Sequence, residues 1–188
     1  MKFTHPTGSD VRRLILRFRP RRPLDYLFEP TDTDHLTMKK TKRNQLEVNT
    51  QLRLTKSPGI VFEAIVNPKE MSHYFISSGS ARLDKADSVT WRFADFGGQL
   101  DVKPQEIKKD ASISFLWSAG GPEALVTITL QPVPRGATVV RVKESGWPAD
   151  AEGIANCVRQ TQGWMHMLCC LKAYLEHGIN LRKGGVVK

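Results

Sequence analysis

The fold is decided by residues 150–178, DAEGIANCVRQTQGWMHMLCCLKAYLEHG. Asp150 can cap a helix and Gly178 is a typical C-terminal stop, so the pattern predicts a helix that ends near His177. At 1.5 Å per residue this helix is about 40 Å long. Its apolar stripe is predicted at steps of three and four residues: Ile154, Cys157, Val158, Thr161, Trp164, Met165, Leu168, Leu171 and Leu175. A one-sided helix of that length needs a large apolar partner.

The chain before this helix contains a series of short strands that can supply the partner. Residues 46–55 alternate between apolar and polar side chains, which is typical of a half-buried strand. Turn residues such as Gly97-Gly98 separate the strands that follow. These strands are predicted at 88–94, 99–107, 112–118, 124–130 and 137–145, with a weaker one at 79–84. Short sequential strands with tight connections predict an antiparallel meander.

Two short helices are predicted between the first strand and this meander. Ser57-Pro58 supplies an N-cap and a first helical residue, and Asn67-Pro68 ends that helix and caps the next. No run of basic or amide side chains follows on the second helix, so the pair is unlike a DNA-reading motif. The sequence therefore predicts an α+β protein in which six or seven antiparallel strands wrap around a long C-terminal helix.

The net charge of +9 is concentrated near the N-terminus. Residues 1–43 contain 11 Lys and Arg against 5 Asp and Glu, whereas residues 44–188 contain 17 against 14. Since the second part is nearly balanced, we expect no nucleic-acid partner for the folded domain.

Residues 1–45 show no sustained period, and three interpretations of them stay open. They can be a basic arm for nucleic acid or a membrane, a targeting segment, or a disordered leader that adds nothing to the fold. On the last interpretation the functional protein begins at Met38. The folded domain is then predicted over residues 46–178, with a flexible tail at 179–188.

No catalytic residue, metal site or cofactor is expected. Glycine-rich phosphate loops, C-x-x-C and H-E-x-x-H do not occur in the sequence. His166 and His177 lie three helical turns apart, too far to share a metal. Three cysteines cannot form a complete disulfide framework, which favours a reducing, cytoplasmic setting. No apolar stretch approaches the roughly 20 residues of a membrane-spanning helix.

Large apolar side chains from the strands and the long helix are predicted to meet in one place. A curved sheet on a long helix leaves space beneath it, and an apolar cleft with few polar groups is a typical small-molecule site. The candidate ligand-binding residues are Trp91, Phe93, Phe115, Trp117, Val126, Ile128, Trp164, Met165 and Leu168. The alternative interpretation is that these side chains form a closed core.

A family resemblance is carried by core positions spread over residues 46–178. They are Ser57-Pro58, Val61-Phe62, Ile65, Val89-Thr90-Trp91, Ile113-Ser114-Phe115-Leu116-Trp117, Gly163-Trp164, Leu168, Leu171, Tyr174 and Leu175. Together with the element order, they resemble the helix-grip fold of the START-like, or SRPBCC, superfamily. Within it the chain is similar to the C-terminal-domain-like family named after the activator of the ninety-kilodalton heat-shock chaperone's ATPase.

The resemblance implies an apolar cavity between sheet and helix that holds lipids, polyketides or other hydrophobic molecules. It supplies no universal catalytic residues. The first hypothesis is therefore binding of a small apolar molecule in the cavity. The alternative is a protein-interaction domain that modulates a chaperone ATPase, and the third is an enzyme acting on a cavity-bound apolar substrate. The oligomeric state stays open.

Overall fold

The computed structural model describes residues 45–95 and 97–183. Its strands are β1 (Gln45–Leu54), β2 (Ser78–Gly79), β3 (Val89–Phe93), β4 (Gly98–Lys108), β5 (Ser112–Trp117), β6 (Ala124–Val133) and β7 (Ala137–Pro148). Its helices are α1 (Pro58–Val66), α2 (Pro68–Met71) and α3 (Ala151–His177). The predicted leader at 1–45 lies outside the described residues except for Gln45, as does the end of the predicted tail.

The seven strands form one antiparallel sheet in the order β1-β7-β6-β5-β4-β3-β2. Strands β2 to β7 follow one another as a meander, and β7, the last strand in the chain, pairs with β1, the first. The predicted α+β helix-grip fold, with its helix pair and long C-terminal helix, is confirmed. The weak strand predicted at 79–84 differs, because β2 has only two residues and a 3-10 turn (Leu83–Lys85) follows it. Two residues are too few to carry an alternating pattern.

Both ends of α3 agree with the local sequence signals. The Asp150 carboxylate accepts a hydrogen bond from the Gly153 backbone N–H at 2.8 Å, as an N-cap does. Gly178 has a φ of 68°, the left-handed conformation that ends a helix most readily at glycine.

The buried face of α3 differs from the predicted stripe. Ile154 and Val158 are each 54% exposed, whereas Gly153 and Asn156 are buried. A Cβ on Gly153 would lie 1.8 Å from the Pro148 carbonyl oxygen, so the helix can approach the end of β7 only through this glycine. That close approach turns Ile154 and Val158 outward.

Hydrogen bonds join the C-terminal half of α3 to the end of β1, an edge strand of the sheet. Lys172 donates to the Arg53 carbonyl at 3.1 Å, and Glu176 accepts from the Thr55 backbone N–H at 2.6 Å. Beyond the helix, Arg182 donates to the Ser77 hydroxyl at 3.1 Å. The helix thus lies mainly over β1 and β7, which leaves the β3–β5 part of the sheet less covered.

The core lies between the inner face of the sheet and the helices. Leu168 and Leu171 of α3 and Ile65 of α1 are buried against it, with Val126 and Val142 from the sheet. No helix in the described residues is long and apolar enough to cross a membrane.

Candidate functional site

A cleft of about 610 Å³ opens where α3 diverges from β3, β4 and β5. We call it the aromatic cleft. Its lining residues are Phe75, Phe93, Gly98, Gln99, Leu100, Trp117, Ala119, Gly120, Asn156, Arg159, Gln160, Gly163 and Trp164. Apolar side chains dominate this lining, and a few polar groups converge on it, which is the usual composition of a small-molecule site.

The local structure of each element brings its aromatic side chain to the cleft. Alternation along β3 and β5 turns Phe93 and Trp117 toward the helix, and Phe75 follows α2. The Trp117 and Trp164 ring centroids are 5.0 Å apart, and those of Phe75 and Trp164 are 5.9 Å apart. Four aromatic rings thus form a continuous wall for flat apolar groups.

Three of the nine predicted ligand-binding residues line the cleft: Phe93, Trp117 and Trp164. Trp117 and Trp164 are buried apart from the part of each ring that lines the cleft, and another five predicted residues are buried without lining it: Trp91, Phe115, Val126, Ile128 and Leu168. Trp91 and Phe115 support the wall from behind, because the Trp91 ring packs edge-on against both Phe115 and Trp117. These five side chains do not belong to the cleft surface.

Met165 lies away from the other predicted site residues. Its side chain is 37% exposed, and its sulfur is 4.0 Å from the Thr50 hydroxyl oxygen on β1. Since Thr50 belongs to β1, Met165 faces the β1 side of the helix. The cleft does not include it.

A buried carboxylate lies behind two of the cleft rings. The indole Nε1 of Trp117 donates to Glu144 Oε1 at 2.8 Å, and that of Trp164 donates to Glu144 Oε2 at 2.7 Å. Glu144 is fully buried, and it forms no ion pair with any residue in the described part of the chain. Burial raises the pKa of Glu144, and the two indole hydrogen bonds oppose that rise. The carboxylate thus fixes the planes of both indole rings.

Sequence reasoning missed Glu144, although a signal for it exists. Val140, Val142 and Glu144 alternate along β7, so a strand with the valines inward also turns this glutamate inward. Its neighbours across the ladder, Val48 and Val126, are buried as well.

The polar rim of the cleft comes mainly from one face of α3. Asn156, Arg159, Gln160 and Gly163 are spaced as neighbours on a helix surface. Gln160 donates to the Ala119 carbonyl at 2.9 Å, which joins the helix to the β5–β6 loop. Arg159 donates to the Asn156 side-chain oxygen.

Two glycines leave part of the cleft open, since a Cβ added at Gly98 or Gly163 would meet no heavy atom within 4 Å. The third glycine of the lining, Gly120, has a φ of 76°, and this left-handed conformation by itself favours glycine. Gly163 is the most informative of them, because glycine inside a helix costs about 0.5–1 kcal/mol relative to alanine. Nothing in the packing of the described residues requires glycine there, and its absent side chain leaves the space beside Trp164 open.

A second, larger hollow of about 870 Å³ lies between α1 and β4. Charged side chains dominate it, and Arg82 at its centre is paired with Glu63 at 2.6 Å and with Asp84 at 2.9 Å. Its charges compensate one another, so it is a weaker candidate than the aromatic cleft.

Catalytic chemistry has little support. Cys170 Sγ lies 3.5 Å from His166 Nε2, but burial raises the pKa of the Cys170 thiol and opposes the thiolate form. Within residues 45–95 and 97–183, no cluster of three or more His, Cys, Asp or Glu side chains could hold a metal ion.

A seven-stranded antiparallel sheet around a C-terminal helix, with an apolar cleft beside it, defines a helix-grip protein of the START-like, or SRPBCC, type. The family model described as "Activator of Hsp90 ATPase homolog 1-like protein" matches residues 56–176, and the chain belongs to this family. A search of curated proteins found no match.

Solved structures agree with this assignment. Protein SSP2350 from Staphylococcus saprophyticus is 28% identical with a TM-score of 0.64, over 73% of this chain and 96% of its own. DynU16, from the dynemicin biosynthetic locus, is 25% identical with a TM-score of 0.63, over 71% of this chain and 48% of its own. The Aha1 dimer from Colwellia psychrerythraea is 21% identical with a TM-score of 0.59, over 71% of this chain and 98% of its own; it supports the fold alone.

Proposed function

We propose that this protein binds a small hydrophobic molecule in the aromatic cleft. The observation that carries the proposal is a 610 Å³ apolar cleft walled by Phe75, Phe93, Trp117 and Trp164. A closed core would fill this space with side chains, whereas a Cβ at Gly98 or Gly163 would meet no heavy atom within 4 Å. Trp117 and Trp164 are themselves buried, so a ligand with flat apolar faces would mainly cover the partly buried side chains of Phe75, Phe93 and Leu100, and this burial would drive binding.

The proposal is tested by binding of the neutral dye N-phenyl-1-naphthylamine, followed by its fluorescence. Gly163→Leu places a side chain into the cleft from α3 without a clash at Cβ. We expect wild-type protein to bind the dye and Gly163→Leu to bind it at least about tenfold more weakly, a loss of about 1.4 kcal/mol.

Gln162→Leu is the matched control, because it adds the same side chain to the same helix at an exposed position outside the cleft. Its dye affinity should equal that of wild type. The proposal would be contradicted if wild-type protein bound no dye, or if Gly163→Leu bound the dye as tightly as wild type does.

Modulation of a chaperone ATPase is the second candidate function. The family description favours it, and Ile154 and Val158 present an exposed apolar face on α3 that a protein partner could cover. This candidate would be favoured over ligand binding if the wild-type protein bound no dye and yet changed the ATPase rate of the chaperone. The third candidate, an enzyme, gains no support from the described lining of the cleft, which includes no carboxylate, histidine, cysteine or hydroxyl side chain.

A further inference from the structure

We propose that the aromatic cleft selects small aromatic acids, and that Arg159 recognises their anionic group. This inference rests on the proposed function, and it adds the charge of the ligand and the residue that recognises it.

Among the described residues that line the cleft, Arg159 is the only one with a charged side chain. It forms no ion pair with any carboxylate in the described part of the chain. Within the described residues its side chain donates a hydrogen bond to Asn156, which is 5% exposed. A guanidinium has five N–H donors, so most of them stay available to a ligand. Paired donors in this planar arrangement suit a carboxylate best.

The position of Arg159 fits a ligand that lies along the helix. Arg159 and Gly163 are four residues apart on one face of α3, which corresponds to about 6 Å along the helix axis. A ring system that packs beside Gly163 and Trp164 would therefore carry a short acidic substituent to the guanidinium. Gln99 and Gln160 line the same cleft and can bind further ligand oxygens.

The buried Glu144 does not reverse this charge preference. Each of its oxygens accepts an indole N–H, and the residue is fully buried behind Trp117 and Trp164. A cation in the cleft could not contact it directly. The charge that the cleft presents to a ligand is therefore the positive charge of Arg159.

The experiment compares 2-naphthoate with its neutral isostere 2-naphthamide by isothermal titration calorimetry near neutral pH. In the wild-type protein the acid should bind about tenfold more tightly than the amide, as one charge-assisted contact at a partly solvated site predicts. Arg159→Gln should remove this difference by weakening the acid alone, with the amide affinity changed less than about twofold.

Arg141→Gln is the control, because it makes the same charge change on an exposed position of β7 outside the cleft. It should keep the wild-type preference. A third ligand, the cation 2-naphthylmethylammonium, is titrated into the wild-type protein for comparison. The inference would be overturned, with hydrophobic binding left intact, if wild type bound the acid and the amide equally or bound this cation more tightly than the acid. A preference for the acid that persists in Arg159→Gln would also overturn it. Absence of binding by all three naphthalenes would overturn the proposed function together with it.

Discussion

Glu144 holds a carboxylate inside an apolar sheet face, between Val48 and Val126 of the neighbouring strands. Removing such a group from water is unfavourable unless its oxygens are hydrogen-bonded. The indole N–H groups of Trp117 and Trp164 supply one bond to each oxygen. A hydrogen bond to a charged group contributes about 1.5–3 kcal/mol. At the scale of single residues, this carboxylate is what holds two cleft rings in one orientation.

The pH dependence of stability provides a test of this arrangement. Because burial raises the pKa of Glu144 above its ordinary 4.5, the folded protein binds this proton more tightly than the unfolded chain does. The stability that the proton contributes is fully present below pH 4.5 and is lost as the pH rises through the raised pKa. We therefore expect the free energy of unfolding of wild type, measured relative to Glu144→Gln, to decrease as the pH rises above 4.5 and through the raised pKa.

At about pH 4 the variant should be less stable than wild type by about 1–3 kcal/mol, since the new amide N–H faces an indole donor. Urea unfolding at a series of pH values measures both proteins. Glu106→Gln changes an exposed glutamate and should follow the wild-type curve. A difference between wild type and Glu144→Gln that is constant with pH would contradict the prediction.

At the scale of elements, α3 contains two glycines with opposite surroundings. Gly153 lets the helix approach β7, because a Cβ there would lie 1.8 Å from the Pro148 carbonyl oxygen. Gly163 has nothing within 4 Å of the same position. The first glycine positions the helix, and the second leaves the cleft open.

The same substitution should therefore have opposite effects at the two positions. Gly163→Ala should raise the free energy of unfolding by about 0.5–1 kcal/mol, the usual gain of alanine over glycine inside a helix. Gly153→Ala should lower it by about 1–3 kcal/mol, because the methyl group forces the helix away from β7. Chemical denaturation measures both values. A stabilising effect of Gly153→Ala would contradict the close approach of the helix to β7, and a destabilising effect of Gly163→Ala would contradict the open space beside Gly163.

At the scale of the whole molecule, the described domain begins at Gln45 and the family match at residue 56. Most of the excess positive charge lies before both positions, since residues 1–43 contain 11 Lys and Arg against 5 Asp and Glu. We expect deletion of residues 1–37 to leave the melting temperature nearly unchanged, as thermal unfolding followed by circular dichroism would measure. A decrease larger than about 4–8 °C, the shift for roughly 1 kcal/mol in a small domain, would mean that this segment stabilises the fold.

The architecture could be predicted because its signals are local. Asp150 and Gly178 define the ends of α3 through contacts within a few residues, and alternation in Gln45–Leu54 defines β1. The sequence predicts a weak strand at 79–84, but the bounds of β2 could not be predicted, because Ser78 and Gly79 acquire strand structure only by pairing with Arg92 and Trp91.

The sequence by itself determined the order of the elements, the helix-grip fold and three cleft residues: Phe93, Trp117 and Trp164. Periodicity places apolar groups on a helix or strand, but it does not say which of two apolar faces packs inward. Only the tertiary structure decided that Ile154 and Met165 face away from the cleft, while Arg159 and Gly163 line it. It also decided the partners of Glu144, because Trp117 and Trp164 lie 27 and 20 residues away in sequence and meet it only when strand and helix pack together.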